Sequence, residues 1–268
     1  MAPYVQRTAT LFGARISLIH VFDPHSYSGL EEYVRGPVEI AEEHQQLARE
    51  RLDGFLKKEF PLEAVPRLLA EGDVATTIAR AAKKGFDLIM MPTHAGVFRR
   101  TLLGSTTAKV LDAAECPVET SLHVETIPPR PLEHREWVCA IGLSKDSERV
   151  LRFAYRAAEE SNARLTILHA IQSTDPRLPV RLDLAEEVES AERQQALERI
   201  DALQKKAGSH AQVRIAIGPV KEALLAAARH TDADGLIIGR SPGHGFGGRL
   251  ADLTYSMVRD SPFPVISI

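Results

Sequence analysis

Ala14-Arg-Ile-Ser-Leu-Ile-His20 returns later in the chain as Ala163-Arg-Leu-Thr-Ile-Leu-His169, an apolar run of the same length between the same basic and histidine ends. Other segments correspond in the same order. Glu71-Gly-Asp-Val74 answers Ile217-Gly-Pro-Val220, Phe86-Asp-Leu-Ile89 answers Ala233-Asp-Gly-Leu-Ile237, and Cys116-Pro-Val118 answers Phe263-Pro-Val265. Self-similarity at a nearly constant offset means one structural plan used twice. A chain of 268 residues has room for two domains of ordinary size. Between the copies runs Glu125-Thr-Ile-Pro-Pro-Arg-Pro-Leu-Glu-His134, whose prolines forbid a helix interior or a central strand and favour an extended connector. The domains are therefore placed at 1–124 and 136–268.

Within each copy, short apolar runs alternate with longer segments of helical period, the pattern of a parallel sheet with helices on its faces. In copy two the expected order is a strand at Trp137 to Ile141, a helix at Asp146 to Ser161 and a strand at Leu165 to Ile171. A long charged helix follows, its buried stripe running through Leu184, Val188, Ala191, Ala196, Ile200 and Leu203. A strand at Val213 to Ile217, a helix at Lys221 to His230 and a strand at Leu236 to Gly239 come next. A helix at Leu250 to Asp260 and a closing strand at Val265 to Ile268 complete the copy. Copy one repeats this from Ile16 onward, with Met1 opposite Val150. The counterpart of the Trp137 to Ile141 strand is missing, so copy one is expected to have four strands and a vacancy at the centre of its sheet. Either the encoded start lies upstream, or another segment or a second chain fills the gap.

Hydrophobic residues make up 44% of the chain and charged ones 26%, a balance that supports packed cores. The net charge of −3 with no long basic block argues against nucleic acid as a partner. Cys116 and Cys139 stand alone, without a second ligand at zinc-site spacing, and read as small buried hydrophobes. No apolar stretch approaches the length of about 18 residues that a spanning helix needs, and no leader pattern opens the chain; the expected compartment is the cytoplasm, with no membrane partner.

In open α/β sheets a ligand sits beyond the carboxyl ends of the strands. The informative stretch of copy one is Pro92-Thr-His-Ala-Gly-Val-Phe-Arg-Arg-Thr-Leu-Leu-Gly-Ser-Thr106, after its last strand but one. Gly104 allows close approach of a ligand, and Ser105 with the free N–H groups of a first helical turn would offer donors to a phosphate. His94, Arg99 and Arg100 are further candidates for phosphate contact, and loop stabilisation explains them as well. The glycine run Gly243 to Gly248 in copy two reads equally as a cradle or a flexible turn. Strand-ending His20 and His169 read as neutral, hydrogen-bonded histidines.

The order strand, Thr-His-x-Gly loop, Leu-Leu-Gly-Ser, helix, Cys-Pro-Val strand resembles the universal stress proteins, over nearly the whole chain and in both copies. The resemblance implies two tandem five-stranded Rossmann-like domains of the adenine nucleotide alpha-hydrolase-like kind, the first lacking its first strand. It implies antiparallel pairing of the two closing strands in an intrachain pseudo-dimer, with homo-oligomers as a further possibility of the family. It also implies a nucleotide site built on Gly-x2-Gly-x9-Gly-Ser/Thr. Carried over to copy one, that site comprises Val21 near the base and His94, Gly96, Gly104, Ser105 and Thr106 near ribose and phosphates, although Pro92 replaces the first glycine. Copy two keeps Gly239, but Ala251 and Asp252 replace Gly-Ser, and Gly142 replaces the Asp that follows the first strand. Its site is degenerate.

The expected ligand is ATP or another adenine nucleotide, held weakly in copy one, with Mg as companion ion. No catalytic residue and no resident metal is expected. Walker, His-Glu-x-x-His and nucleophile-elbow signatures are all absent. The leading reading is a stress-response binding or regulatory protein, either holding nucleotide weakly or acting through protein contacts alone, and the sequence leaves both open. The competing reading is a slow adenine-nucleotide hydrolase on the same fold. Gly142-Leu-Ser-Lys-Asp146 lacks the Ser-Gly-Gly-x-Asp-Ser type of loop that such enzymes carry, which counts against it.

Overall fold

The computed structural model describes residues 2–23, 37–93, 103–121, 134–172, 182–240 and 249–268. Every element read in copy two is present. Strand β5, Glu136–Ala140, is buried at all five positions, as a parallel strand covered on both faces must be. It lies between β6 (Arg164–Ile171) and β8 (Gly235–Ile238), parallel to both, with Trp137 level with Leu165 on one side and Gly235 on the other. Strands β7 (Gln212–Ile217) and β9 (Val265–Ser267) extend the sheet outward, giving the order β9-β8-β5-β6-β7, which reverses at β5. Helix α5, Ser147–Ser161, covers β5 with Val150, Leu151, Ala154, Ala157 and Ala158, all buried. It stops at Asn162, whose left-handed φ of 51° lets its N–H reach the carbonyls of Ala158 and Glu159. Helices α6 (Leu182–Ala207), α7 (Val220–His230) and α8 (Arg249–Asp260) complete the layers.

Copy one begins with α1 (Ala2–Leu11), the counterpart of α5, and continues with β1 (Leu18–Phe22), α2 (Pro37–Gly54), β2 (Arg67–Glu71), α3 (Val74–Ala82), β3 (Ile89–Pro92), α4 (Ser105–Ala113) and β4 (Val118–Ser121). The expected four strands are there, and the sheet is divided where the fifth would stand. β1 pairs in parallel with β2 as a sheet of two, whereas β3 and β4 join the larger sheet, whose order is β3-β4-β9-β8-β5-β6-β7. Under β1 and β2, Ala2, Phe60 and Val65 form a small core with Val5, Ile16, Leu18 and Leu56 packed against it. Arg67 takes the place of an apolar anchor there, its guanidinium donating to the carbonyls of Leu52 and Phe60.

The closing strands meet as expected. β4 runs antiparallel to β9, with Val118 opposite Ser267, Glu119 opposite Ile266 and Thr120 opposite Val265. Side chains reinforce the ladder: Ser267 Oγ donates to the Val118 carbonyl at 3.2 Å and Thr120 Oγ1 to that of Val265 at 3.3 Å. By compactness the chain divides into one unit of Met1–Ile89 with Gly104–Cys116 and another of Met90–Leu103 with Pro117–Ile268. The proline connector, apart from His134, lies outside the described residues, and His134 stacks on Trp137 with ring centroids 4.5 Å apart.

Candidate functional site

In copy one the site is founded on the start of α4. Buried Thr107, Val110 and Leu111 anchor this helix, and Gly104 precedes it as the N-cap, with φ −60° and ψ 138° and no side chain to cap with. The first intrahelical bond runs from Ala108 N–H to the Gly104 carbonyl at 2.9 Å, so the N–H groups of Ser105 and Thr106 lie ahead of it. Ser105 is exposed and Thr106 half-buried. Three of the expected site residues, Gly104, Ser105 and Thr106, are thus gathered on one helix start. Val21 lies in β1, 8% exposed, and His94 and Gly96 lie outside the described residues, as do Arg99 and Arg100.

The neighbouring helix shows what a committed cap looks like. Asp73 Oδ1 accepts from the N–H of Thr76 at 3.0 Å and from its hydroxyl at 2.7 Å. Those two bonds, with Lys109 of α4 helping, hold the Asp73 carboxyl below the usual range. α3 packs against α4, and Lys109 of α4 lies near enough to act on this carboxyl.

Copy two offers an intact switch point with different contents. Gly142 follows β5, and Leu143 after it is held at φ 54°, a left-handed conformation that glycine adopts more readily. Arg199 of α6 donates to the Leu143 carbonyl at 2.5 Å, and His169 Nδ1 bonds the carbonyl of Ile141 at 2.9 Å. The strand-end histidine is therefore a hydrogen-bonded support of the β5 turn. A Cβ built at Gly239 would stand 3.1 Å from Val150 Cγ2, so a side chain there would press on α5. Ala251 and Asp252 fall in the first turn of α8; Gly243 and the glycine run lie outside the described residues.

Other features were not foreseen. A Cβ on Gly235 would come within 2.3 Å of Trp137 Cζ3, so this glycine exists to admit the indole. Glu136 is 5% exposed, accepting from Arg164 Nε at 2.7 Å and Thr166 Oγ1 at 2.6 Å. Asp234 Oδ2 receives the N–H groups of Arg135 and Glu136 at 2.7 and 3.0 Å, pinning the start of β5. The only hint in the sequence was the Asp-Gly pair inside an apolar run. A cleft of about 630 Å³ lies at this amino end of the sheet, lined by Glu136, Tyr155, Glu159, Arg164 and His210 among others. Its buried carboxylate is already satisfied, and it is at the opposite end from the switch point. Among the described residues no group of His, Cys, Asp or Glu is placed to hold a metal ion, and no helix is long and apolar enough to cross a membrane.

A repeated α/β plan whose strand order reverses at β5 defines the class, a tandem Rossmann-like protein with its candidate sites at the carboxyl ends of the strands. The Universal stress protein family model matches residues 2–119 and again 135–268, and the chain belongs to that family. Among solved structures it is similar to a universal stress protein from Archaeoglobus fulgidus DSM 4304, at 20% identity, covering 99% of this chain and 90% of that one with a TM-score of 0.62. It is equally similar in fold to a functionally unknown protein from Pseudomonas aeruginosa PAO1, at 19% identity, covering 99% and 86% of the two chains with a TM-score of 0.62. Comparison with curated protein sequences finds no match.

Proposed function

We propose that the chain is a stress-response binding or regulatory protein, and not a committed enzyme, that takes an adenine nucleotide weakly in copy one. The observation that carries this reading is the uncapped start of α4, where Gly104 brings no side chain and Ser105 and Thr106 present N–H groups at the positive end of a helix. The residues present fit a nucleotide in part. The phosphate donors exist, but among the described residues copy one has no strand carrying a nucleoside-anchoring Asp. Copy two has Gly142 at the anchor position and Asp252 in the first turn of α8, where the sequence brings a negative charge that disfavours a phosphate. Its site is read as degenerate.

Calorimetric titration of the full chain with ATP, ADP, AMP and cyclic AMP, with and without Mg, tests this. Weak heat with at least one adenine nucleotide is expected, abolished by Gly104→Asp and little changed by Asp252→Ser. The reverse pattern would move the site to copy two. Silence with every nucleotide would leave protein contacts as the function, and phosphate release at a steady rate would favour the hydrolase instead.

A further inference from the structure

The cleft of about 630 Å³ at the amino end of the copy-two sheet has the volume of a small-molecule site, which runs from about 300 to 1,000 Å³. Its walls all come from copy two: the last turns of α5, the starts of β5, β6 and β7, and the turn ahead of β7. Buried Ala158 and Leu165 give it an apolar lining. Arg164 lines the same space, its Nε donating to Glu136 at 2.7 Å and its side chain 80% exposed. Glu136 is fixed in turn by the Thr166 hydroxyl at 2.6 Å. The guanidinium is thus pinned through one nitrogen, while its two terminal amino groups bond no described residue. Held in this way it offers a preset fork to a planar carboxylate.

Glu159 brings the second unanswered charge. Its Oε1 accepts from the Tyr155 hydroxyl at 2.5 Å, and its Oε2 bonds no described residue. It stands in the last turn of α5, at the negative end of the helix dipole, where a cation is favoured. The side chains of Asn162, His210 and Gln212 line the same cleft and likewise bond no described residue. Copy one is built without this set: Tyr155, Glu159, Asn162 and His210 correspond there to Gln6, Thr10, Gly13 and Ala64. Asn162 and Gly13 follow their helices in the same left-handed conformation, with φ of 51° and 57°, and Arg164 recurs as Arg15. The backbone plan therefore does not demand the carboxylate and the imidazole. Two carboxylates against one guanidinium repel a simple anion such as phosphate, and a simple amine leaves the fork of Arg164 unfilled. A ligand that carries one carboxylate and one ammonium group answers both.

We propose that this cleft binds a free amino acid, its carboxylate on the terminal amino groups of Arg164 and its ammonium group on Glu159 and the side-chain carbonyl of Asn162. His210 and Gln212 meet the ligand's side chain and favour a polar one, since each has both donor and acceptor capacity to spend. Glu136, only 5% exposed, acts through Arg164 as a positioning residue.

The test titrates the isotope-labelled full chain with each standard amino acid to about 10 mM, which reaches dissociation constants of about 1 mM, and follows the backbone amides by NMR. At least one amino acid with a polar side chain is expected to shift Asn162, Arg164 and Gln212, while Gly13 and Arg15 of copy one stay in place. The carboxamide of that amino acid, which lacks the carboxylate, and its N-acetyl form, which lacks the ammonium group, should each bind about tenfold more weakly. Arg164→Lys keeps a cation beside Glu136 but removes the fork, and Glu159→Gln keeps the shape but removes the charge; each should weaken binding about tenfold. Because Glu159 is exposed, its variant keeps the test sound even where Arg164→Lys lowers the melting temperature. Silence at these amides with every amino acid, equal binding of the blocked forms, or full affinity in Glu159→Gln overturns the proposal. So does an equal response to inorganic phosphate, which would make the cleft a simple anion site. The α4 start takes no part, so failure here is distinct from failure of the nucleotide proposal.

Discussion

Trp137 is 1% exposed and its Nε1–H donates to Ser161 Oγ at 3.0 Å, so the largest side chain of the copy-two core is fixed at both its polar and its apolar end. The indole occupies the volume a side chain at 235 would need, which makes Gly235 a packing residue rather than a turn residue. Gly235→Ala should lower stability by about 1 to 3 kcal/mol or more, because overpacking forces the ring off its rotamer or the strands apart. Chemical denaturation of the variant measures it, and an unchanged midpoint would show that the ring has room to move. Trp137→Val in the same background should recover much of the loss, since the two sites share one volume. Cys139 beside them is fully buried, and burial alone pushes its thiol up to about 12, so the expectation of a small buried hydrophobe is met there, whereas Cys116 is only half-buried.

At the scale of elements, the strands of copy two were legible because a parallel strand covered on both faces is written as an unbroken apolar run, and Trp137 to Ile141 is such a run. The α4 start was legible through Gly104 and Ser105, since a glycine before a helical stretch signals a boundary whatever surrounds it. What could not be read was everything that depends on a partner distant in sequence. Glu136 looks like a surface residue until Arg164 and Thr166 fold against it, and Leu143 gives no sign of its left-handed backbone. Asp260 is a similar case: a carboxylate at the last residue of α8 is disfavoured by the helix dipole, yet it is bound by Arg259 at 2.7 Å and by Lys221 of α7 at 3.1 Å. The Arg259 contact first, and Lys221 with it, lowers its pKa to about 2. Because the folded value lies below the unfolded one, the stabilisation is present above about pH 4 and is lost as pH falls toward 2. Asp260→Asn should therefore cost about 1 kcal/mol at neutral pH, after allowance for solvent screening, and progressively less below pH 4. A cost that did not shrink in acid would mean the pair contributes through shape and not charge.

Across the whole molecule, the repeat leads one to expect four strands in copy one beside five in copy two, and the backbone distributes them over two unequal sheets. Seven strands, from β3 to β7 by way of β4 and β9, share one continuous ladder, while β1 and β2 stand as a pair. A sheet of two strands is marginal by itself, and stability within a protein follows local burial and the number of paired neighbours. Around β5 the apolar positions are almost wholly buried, whereas Leu18 and Ile19 of β1 are half-buried and Leu68 of β2 is 38% exposed. Hydrogen exchange followed by mass spectrometry should therefore find segments 18–22 and 67–71 exchanging through a local opening of low free energy. Segment 136–140 should exchange only with global unfolding, at roughly 5 to 15 kcal/mol. Thermal melts followed by circular dichroism should accordingly show an early loss of part of the signal. Equal protection of segments 18–22 and 136–140 would show that pairing and burial do not set the local stability here, and the unequal stability of the two sheets would then have to be abandoned.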